Sequence, residues 1–135
     1  MISVNPISLT ATTQVYAATL TERLCQPYCV NADIQPIVSV VYSVENTNLV
    51  GTNMYATIKV QGEVTYVPKS GNACCPKSKI FTEYFTVAFA SATAGTTIAV
   101  AQASGAVSPA FVNCYGVACG ISANNVVTIT ATTPA

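Results

Sequence analysis

Six cysteines are the residues of this chain best suited to chemistry, and they fall in three local pairs: Cys25 and Cys29, Cys74 and Cys75, Cys114 and Cys119. Thiols grouped in this way bind a soft metal, run redox exchange, or close disulfides. Four thiolates from Cys25, Cys29, Cys74 and Cys75 would suit a tetrahedral zinc ion, but adjacent cysteines rarely both turn inward to one ion. Redox catalysis uses a C-x-x-C at a helix start, and the sequence has none. Structural disulfides are the plainer reading. Cys74 and Cys75 bear on it, because a bridge wants Cα atoms about 5.5 Å apart and strains the peptide between sequence neighbours. Two thiols so placed reach two different partners more comfortably, and one of those can belong to another chain.

The rest of the catalytic vocabulary is thin. There is no histidine, which removes the usual general base, the usual triads and the commonest metal ligand. The carboxylates are Glu22, Asp33, Glu45, Glu63 and Glu83. Glu63 and Glu83 would make a glycosidase-like pair if they faced each other. As polar residues on alternating strands, both are expected to face solvent instead. No P-loop, dinucleotide glycine fingerprint or G-x-S-x-G elbow is present. We expect no enzyme, no cofactor and no bound metal.

Strands must carry these residues, because the hydrophobic period is two. From Met54 to Val67, Met54, Ala56, Ile58, Val60, Val64 and Tyr66 share one face; Thr57, Lys59, Gln61, Glu63 and Thr65 share the other. Gly62 interrupts the apolar face and signals a bulge or a close approach. In Ile80–Phe89, Phe81, Phe85, Val87 and Phe89 point one way, and Thr82, Tyr84 and Thr86 the other. Further strands are expected at Ile37–Val44, Thr97–Ala103, Ala106–Val112 and Val126–Thr132. Turns are expected at Asn46-Thr47-Asn48, Pro68–Pro76, Ala94-Gly95 and Ala123–Asn125, and one short helix at Ala17–Leu24. The fold class is all-β, a sandwich or jelly-roll-like domain. Its core is expected from Phe81, Phe85, Val87, Phe89, Ile58, Val60, Val64, Val38, Val40, Val127 and Ile129.

This grammar places the cysteines conditionally. In an antiparallel meander, the start of Ile37–Val44 and the end of Met54–Val67 share one end of the sheet, so Cys25, Cys29, Cys74 and Cys75 gather there. If Gly105 makes a hairpin, Cys114 and Cys119 fall at the opposite end. If Thr97–Val112 runs on as one strand, they fall at the same end. The first case offers head-to-tail cross-linking, the second a closed internal cluster.

The segment Ile2–Leu20 carries no charge, and its apolar residues alternate: Ile2 and Val4, then Ile7, Leu9 and Ala11, then Val15 and Ala17. It reads either as an ordinary first strand or as an arm that lends a strand to a neighbour. On the second reading the chain divides into an extended segment 1–20 and a sandwich domain 21–135, with Ile2, Val4, Ile7, Leu9 and Val15 as assembly residues.

Composition narrows the partners. The chain has 135 residues, one domain by length, and it is 51% hydrophobic but only 7% charged. An ordinary soluble domain is about 25% charged. Five Lys and Arg balance five Asp and Glu, leaving no basic patch for phosphates, so no nucleic-acid partner is expected. A near-neutral surface favours association, and the expected partners are copies of itself. Tyr16, Tyr28, Tyr55 and Tyr115 are candidates for the contact surface. No run reaches the roughly 18 apolar residues of a membrane helix, so no membrane span is expected. The start, Met1-Ile2-Ser3-Val4-Asn5-Pro6, lacks the pattern of a secretory signal. Paired cysteines without a signal suit proteins made in a cytoplasm and released by lysis, such as virion and spore-surface proteins.

Two resemblances point the same way. The stretch Ile58-Lys59-Val60-Gln61-Gly62-Glu63-Val64-Thr65-Tyr66, followed by Phe85-Thr86-Val87-Ala88-Phe89 and Thr97-Ile98-Ala99-Val100, resembles the SPOCS β-modules of spore-forming bacteria. The small, neutral, Thr- and Ala-rich β-domain with a Cys-Cys pair is similar to subunits of bacterial endospore appendages, which implies a disulfide-linked jelly-roll fibre with an N-terminal connector. The sequence departs from that pattern: Cys74 and Cys75 lie mid-chain, and the first twenty residues contain no cysteine. The expected function is a self-assembling structural subunit of an extracellular or spore-surface fibre or coat, stabilised by disulfides. The alternatives are a phage virion protein, for capsid decoration or tail, and a small carbohydrate- or metal-binding module.

Overall fold

Period-two alternation becomes strand throughout. The computed structural model describes residues 1–9, 12–24, 33–67, 77–102, 109–114 and 117–134. Its strands are β1 (Ile2–Leu9), β2 (Thr13–Arg23), β3 (Ile37–Val50), β4 (Asn53–Tyr66), β5 (Lys77–Phe89), β6 (Thr97–Gln102), β7 (Pro109–Cys114) and β8 (Val117–Thr132). β3, β4 and β5 form a three-stranded antiparallel meander, while the other sheet runs β1-β2-β8-β6, with β7 also on β8. The two sheets face each other across one core, an all-β sandwich. β1 lies beside β5, and β3 beside β6, so the sheets approach at both margins.

The core draws on both inner faces. Val38, Val40, Ile58, Val60, Val64, Phe81, Val87 and Phe89 come from the meander, and Ala18, Leu20, Ile121, Ala123, Val127 and Ile129 from the other sheet. All of the expected core residues are there except Phe85, which is only half-buried against the cluster. It lies towards the β5 margin and is held edge-on by Tyr16 and Tyr42, with ring centroids 6.2 and 6.4 Å away. Burial pushes the Tyr42 phenol up to about 12.

Several local expectations are corrected. The helix expected at Ala17–Leu24 is strand through Arg23, because Ala18, Leu20 and Leu24 turn inward at period two and β2 is paired on both flanks. The turn expected at Asn46-Thr47-Asn48 is strand. A register shift between Val44 and Asn46 absorbs an extra residue, and β3 runs on to Val50. The reversal falls at Gly51 and Thr52, where Gly51 takes a left-handed φ of 64° that glycine adopts without strain. Ala123–Asn125 is also strand: Ala123 is buried, and the Thr19 hydroxyl donates to Asn124 Oδ1 at 2.9 Å across the ladder. The turn at Ala94 and Gly95 forms as expected. Pro68–Pro76 and Gly105 lie outside the described residues.

The first twenty residues are not separable from the sheet. Ile2 pairs with Leu20 and Val4 with Ala18, while β2 pairs along its whole length with β8. The division expected at residue 20 therefore falls inside an interior strand. Gly62 marks a close approach and not a bulge, since the β4–β5 register runs through it unbroken and a methyl group there would overlap the Phe81 ring.

Gly62→Ala is expected to lower stability by about 1–3 kcal/mol through overpacking, read as a fall in the urea midpoint at unchanged m-value. Phe81→Leu makes room, so the same substitution costs less in that background. Equal cost in both backgrounds would remove the ring as the cause.

Candidate functional site

The cysteine-bearing segments open at one end of the sandwich. β2 leaves that end at Leu24, whose N–H donates to the Cys119 carbonyl at 3.0 Å. β4 leaves it at Tyr66 and β5 enters opposite, at Lys77. The Tyr66 hydroxyl donates to the Leu24 carbonyl at 3.3 Å, so the exits of β2 and β4 are tied together. β6 and β7 both pair antiparallel with β8, on the flank that β2 leaves free, so they follow each other in one direction. The β7–β8 hairpin, with Cys114 opposite Val117, opens at the same end. Thr97–Val112 is two strands, β6 and β7, with residues 103–108 outside the described residues, but their shared direction puts the β7–β8 hairpin at the end expected for the single strand.

Cys119 is 2% exposed. Its Sγ lies 3.5 Å from the Val112 carbonyl oxygen. Cys25, Cys29, Cys74 and Cys75 lie outside the described residues, so the pairing between segments is not fixed. Gly120 is required beside Cys119, because a Cβ there would collide with the Glu22 carbonyl.

The same end holds a charged cluster. Glu22 lies on the inner face of β2 between Leu20 and Leu24 and is 7% exposed. The amino group of Met1 sits 2.9 Å from Glu22 Oε1 and 2.7 Å from Glu83 Oε1, and donates to the Thr21 carbonyl. Lys79 Nζ is 3.6 Å from Glu22 Oε2 and donates to the Arg23 carbonyl at 2.6 Å. Two carboxylates and two ammonium groups thus tie the start of β1, the end of β2 and the start of β5. This is a contact between sheets in which the one buried charge, Glu22, is compensated by the partly exposed amino group of Met1 and by Lys79. The hydrogen bond from the amino group, more than the nearby Glu22 and Lys79, holds the Glu83 carboxyl below its usual value.

Glu63 and Glu83 do not face each other. Glu63 pairs with Ser39 and Ile80 on the outer face, whereas Glu83 shares the inner face with Phe81 and Phe85. The expectation that Glu83 faces solvent is corrected. The only signal in the sequence is a charge at an inward position of each stripe, Leu20-Glu22-Leu24 and Lys79-Phe81-Glu83-Phe85, which does not show that the two meet.

The expected assembly residues separate into two groups. Ile2 and Val4 are half-buried against the core. A register shift between Pro6 and Ser8 then breaks the alternation, leaving Ile7 57% and Leu9 71% exposed. Val15 is half-buried on the outer face, opposite Ser8 and Thr128. Tyr16 packs on Phe85, Tyr55 is exposed, and Tyr28 and Tyr115 lie outside the described residues.

Among the described residues, no three Cys, Asp or Glu side chains gather as metal ligands, and no helix is long and apolar enough to cross a membrane, which says nothing of a β-barrel. No family model matches the chain, and no curated protein or solved structure shows significant similarity to it. The spore-surface resemblance therefore rests on the quoted stretches alone.

The contact has a pH signature. Glu83 is ionised more readily in the folded chain than a free glutamate is, because it accepts a hydrogen bond from the amino group. Its stabilisation is full above the free value and is lost as pH falls through the lower folded value. Denaturation midpoints should therefore drop from pH 6 towards pH 3, and Glu83→Gln should flatten part of that drop. An identical profile in the variant would show that the contact contributes nothing to acid stability.

Proposed function

We propose that this chain is a self-assembling structural subunit of an extracellular or spore-surface fibre or coat, with disulfides at one end joining neighbouring copies and no catalytic turnover. The observation that carries the reading is that the stems of all three cysteine-bearing segments open at one end of the sandwich. Cysteines whose strands open at one end can close a cluster within one chain or bond another copy tip to tip; the proposal takes the second, because Cys74 and Cys75 strain a bond to each other and reach separate partners more easily. A bond of this kind holds an assembly together on dilution, which noncovalent contacts of modest size do not. The surface agrees: the outer faces carry Ser, Thr, Ala and Val with few charges, for example Thr19, Thr21, Ser122 and Thr128 on one sheet.

The N-terminal residues enter this reading differently from a free arm. β2 is an interior strand, so a deletion of residues 2–18 would remove Gln14 and Ala18 from the buried set and unfold the sheet. Only β1, paired on one flank in the chain itself, is separable in principle.

Oxidised protein is expected to run on a non-reducing denaturing gel as a ladder that collapses to monomer with thiol, and to form regular filaments under negative stain. A single monomer band under oxidising conditions would mean that the cysteines close within one chain, and covalent assembly would be excluded.

A further inference from the structure

The outer face of the β3–β4–β5 meander lies wholly within the described residues and is open to solvent. Ile37 and Val41 of β3, Tyr55 of β4, and Ile80 and Tyr84 of β5 project from it, each between 40% and 73% exposed. Large apolar side chains gathered on one face mark a contact surface, whereas scattered single ones do not. On the outer faces of β2 and β8 the only comparable side chain among the described residues is Val126, at 41%.

The strand register sets the centre of this face out in three rows that run across the strands. Val41, Gln61 and Thr82 form the middle row. Ser43, Lys59 and Tyr84 flank it on one side, and Ser39, Glu63 and Ile80 on the other. Lys59 and Glu63 thus stand about 13 Å apart along the central strand, four residues at about 3.3 Å each. Neither makes an ion pair with another described residue. The face is positive and aromatic on one side of its middle row, negative and aliphatic on the other.

We propose that this face packs on the same face of a second copy, about a two-fold axis that runs along the row Val41–Gln61–Thr82. The proposal rests on the self-assembly reading above and gives it a noncovalent joint on the side of the sandwich. Rotation about that axis lays one sheet on the other, keeps each strand over its counterpart and exchanges the two flanking rows. Lys59 of each copy then lies over Glu63 of the other, and Tyr84 of each over Ile80 of the other. On the axis Val41 meets Val41, and the Gln61 amide, which both donates and accepts, meets itself. The other in-plane axis, along β4, would set Lys59 on Lys59 and Glu63 on Glu63, and would leave Tyr84 and Ile80 over Ser43 and Ser39. Charge and apolar pattern therefore select the same arrangement, and the partner they select is this chain. Three strands at about 4.8 Å spacing and roughly nine residues long present on the order of 400 Å² per copy. That is below the ~800 Å² per partner of a standard interface, so the contact is weak alone and gains strength where copies are already tethered.

Sedimentation equilibrium of the full chain in thiol, over a concentration series, tests this. Wild type is expected to show a reversible monomer–dimer step. Lys59→Glu alone and Glu63→Lys alone each set like charges face to face and should weaken it by about tenfold. The double variant Lys59→Glu with Glu63→Lys restores opposite charges and should return the constant to within about threefold of wild type. Val126→Lys, on the outer face of β8, should leave it unchanged. Circular dichroism melts establish that each variant is folded. Unchanged constants in the folded single variants, no recovery in the double variant, or an equal loss in Val126→Lys overturns the proposal. So does a wild type that stays monomeric in thiol; in that case a thiol-sensitive ladder on the oxidised gel leaves the disulfide reading standing, and absence of the ladder removes both.

Discussion

Along β8, from Val117 to Thr132, both backbone flanks are hydrogen-bonded. β2 takes one flank over Gly120–Thr130, and β7 and then β6 take the other. Its inward residues Ile121, Val127 and Ile129 have no solvent exposure and Ala123 almost none. A strand so enclosed fixes its neighbours in register, because a slip by one residue would turn every apolar side chain outward. β1, β6 and β7 reach the core only through partners aligned on β8. β4 plays the corresponding role in the meander, where Ala56, Ile58, Val60 and Val64 are fully buried and β3 and β5 pair on either side. The core is the meeting of these two central strands.

Most of the core was legible in the sequence because alternation on β4, β5 and β8 is nearly unbroken. What escaped sequence reading escaped for local reasons. Ala17–Leu24 has residues that form helices well alone, and only its pairing with β1 and β8 decides for strand. Asn46 and Asn48 look like turn residues, but the register shift before Asn46 lets the ladder accommodate them while Gly51 makes the reversal. The placement of Cys114 and Cys119 hinged on whether the chain turns back near Gly105. Nothing in the local sequence decides that; the shared flank of β8 does.

The inward charges show a second limit. A Glu in an apolar stripe reads as a solvent-facing interruption until the partner stripes are superposed. Glu22 on β2 and Lys79 and Glu83 on β5 converge only because β1 lies beside β5 and closes that margin of the sandwich. Once there, the buried Glu22 carboxylate has the Met1 amino group and Lys79 as partners, as a charge within the fold requires. The arrangement also explains why β1 stays in place although Ile7 and Leu9 are exposed: it is fastened at its start by ion pairs and by Ile2 and Val4, and loosely beyond Pro6.

All the long strands run between the two ends of the sandwich, and this gives the fold a mechanical character. A pull applied between the two ends is directed along the strands, so the ladders of β8 and β4 are loaded in shear. Many backbone hydrogen bonds then resist together, whereas a pull across the strands would peel them one at a time. The rate of rupture under load is set by the barrier to unfolding and not by equilibrium stability. A sandwich of this build is therefore stiff along one axis and yielding across it, like fibre laid lengthwise in a cable.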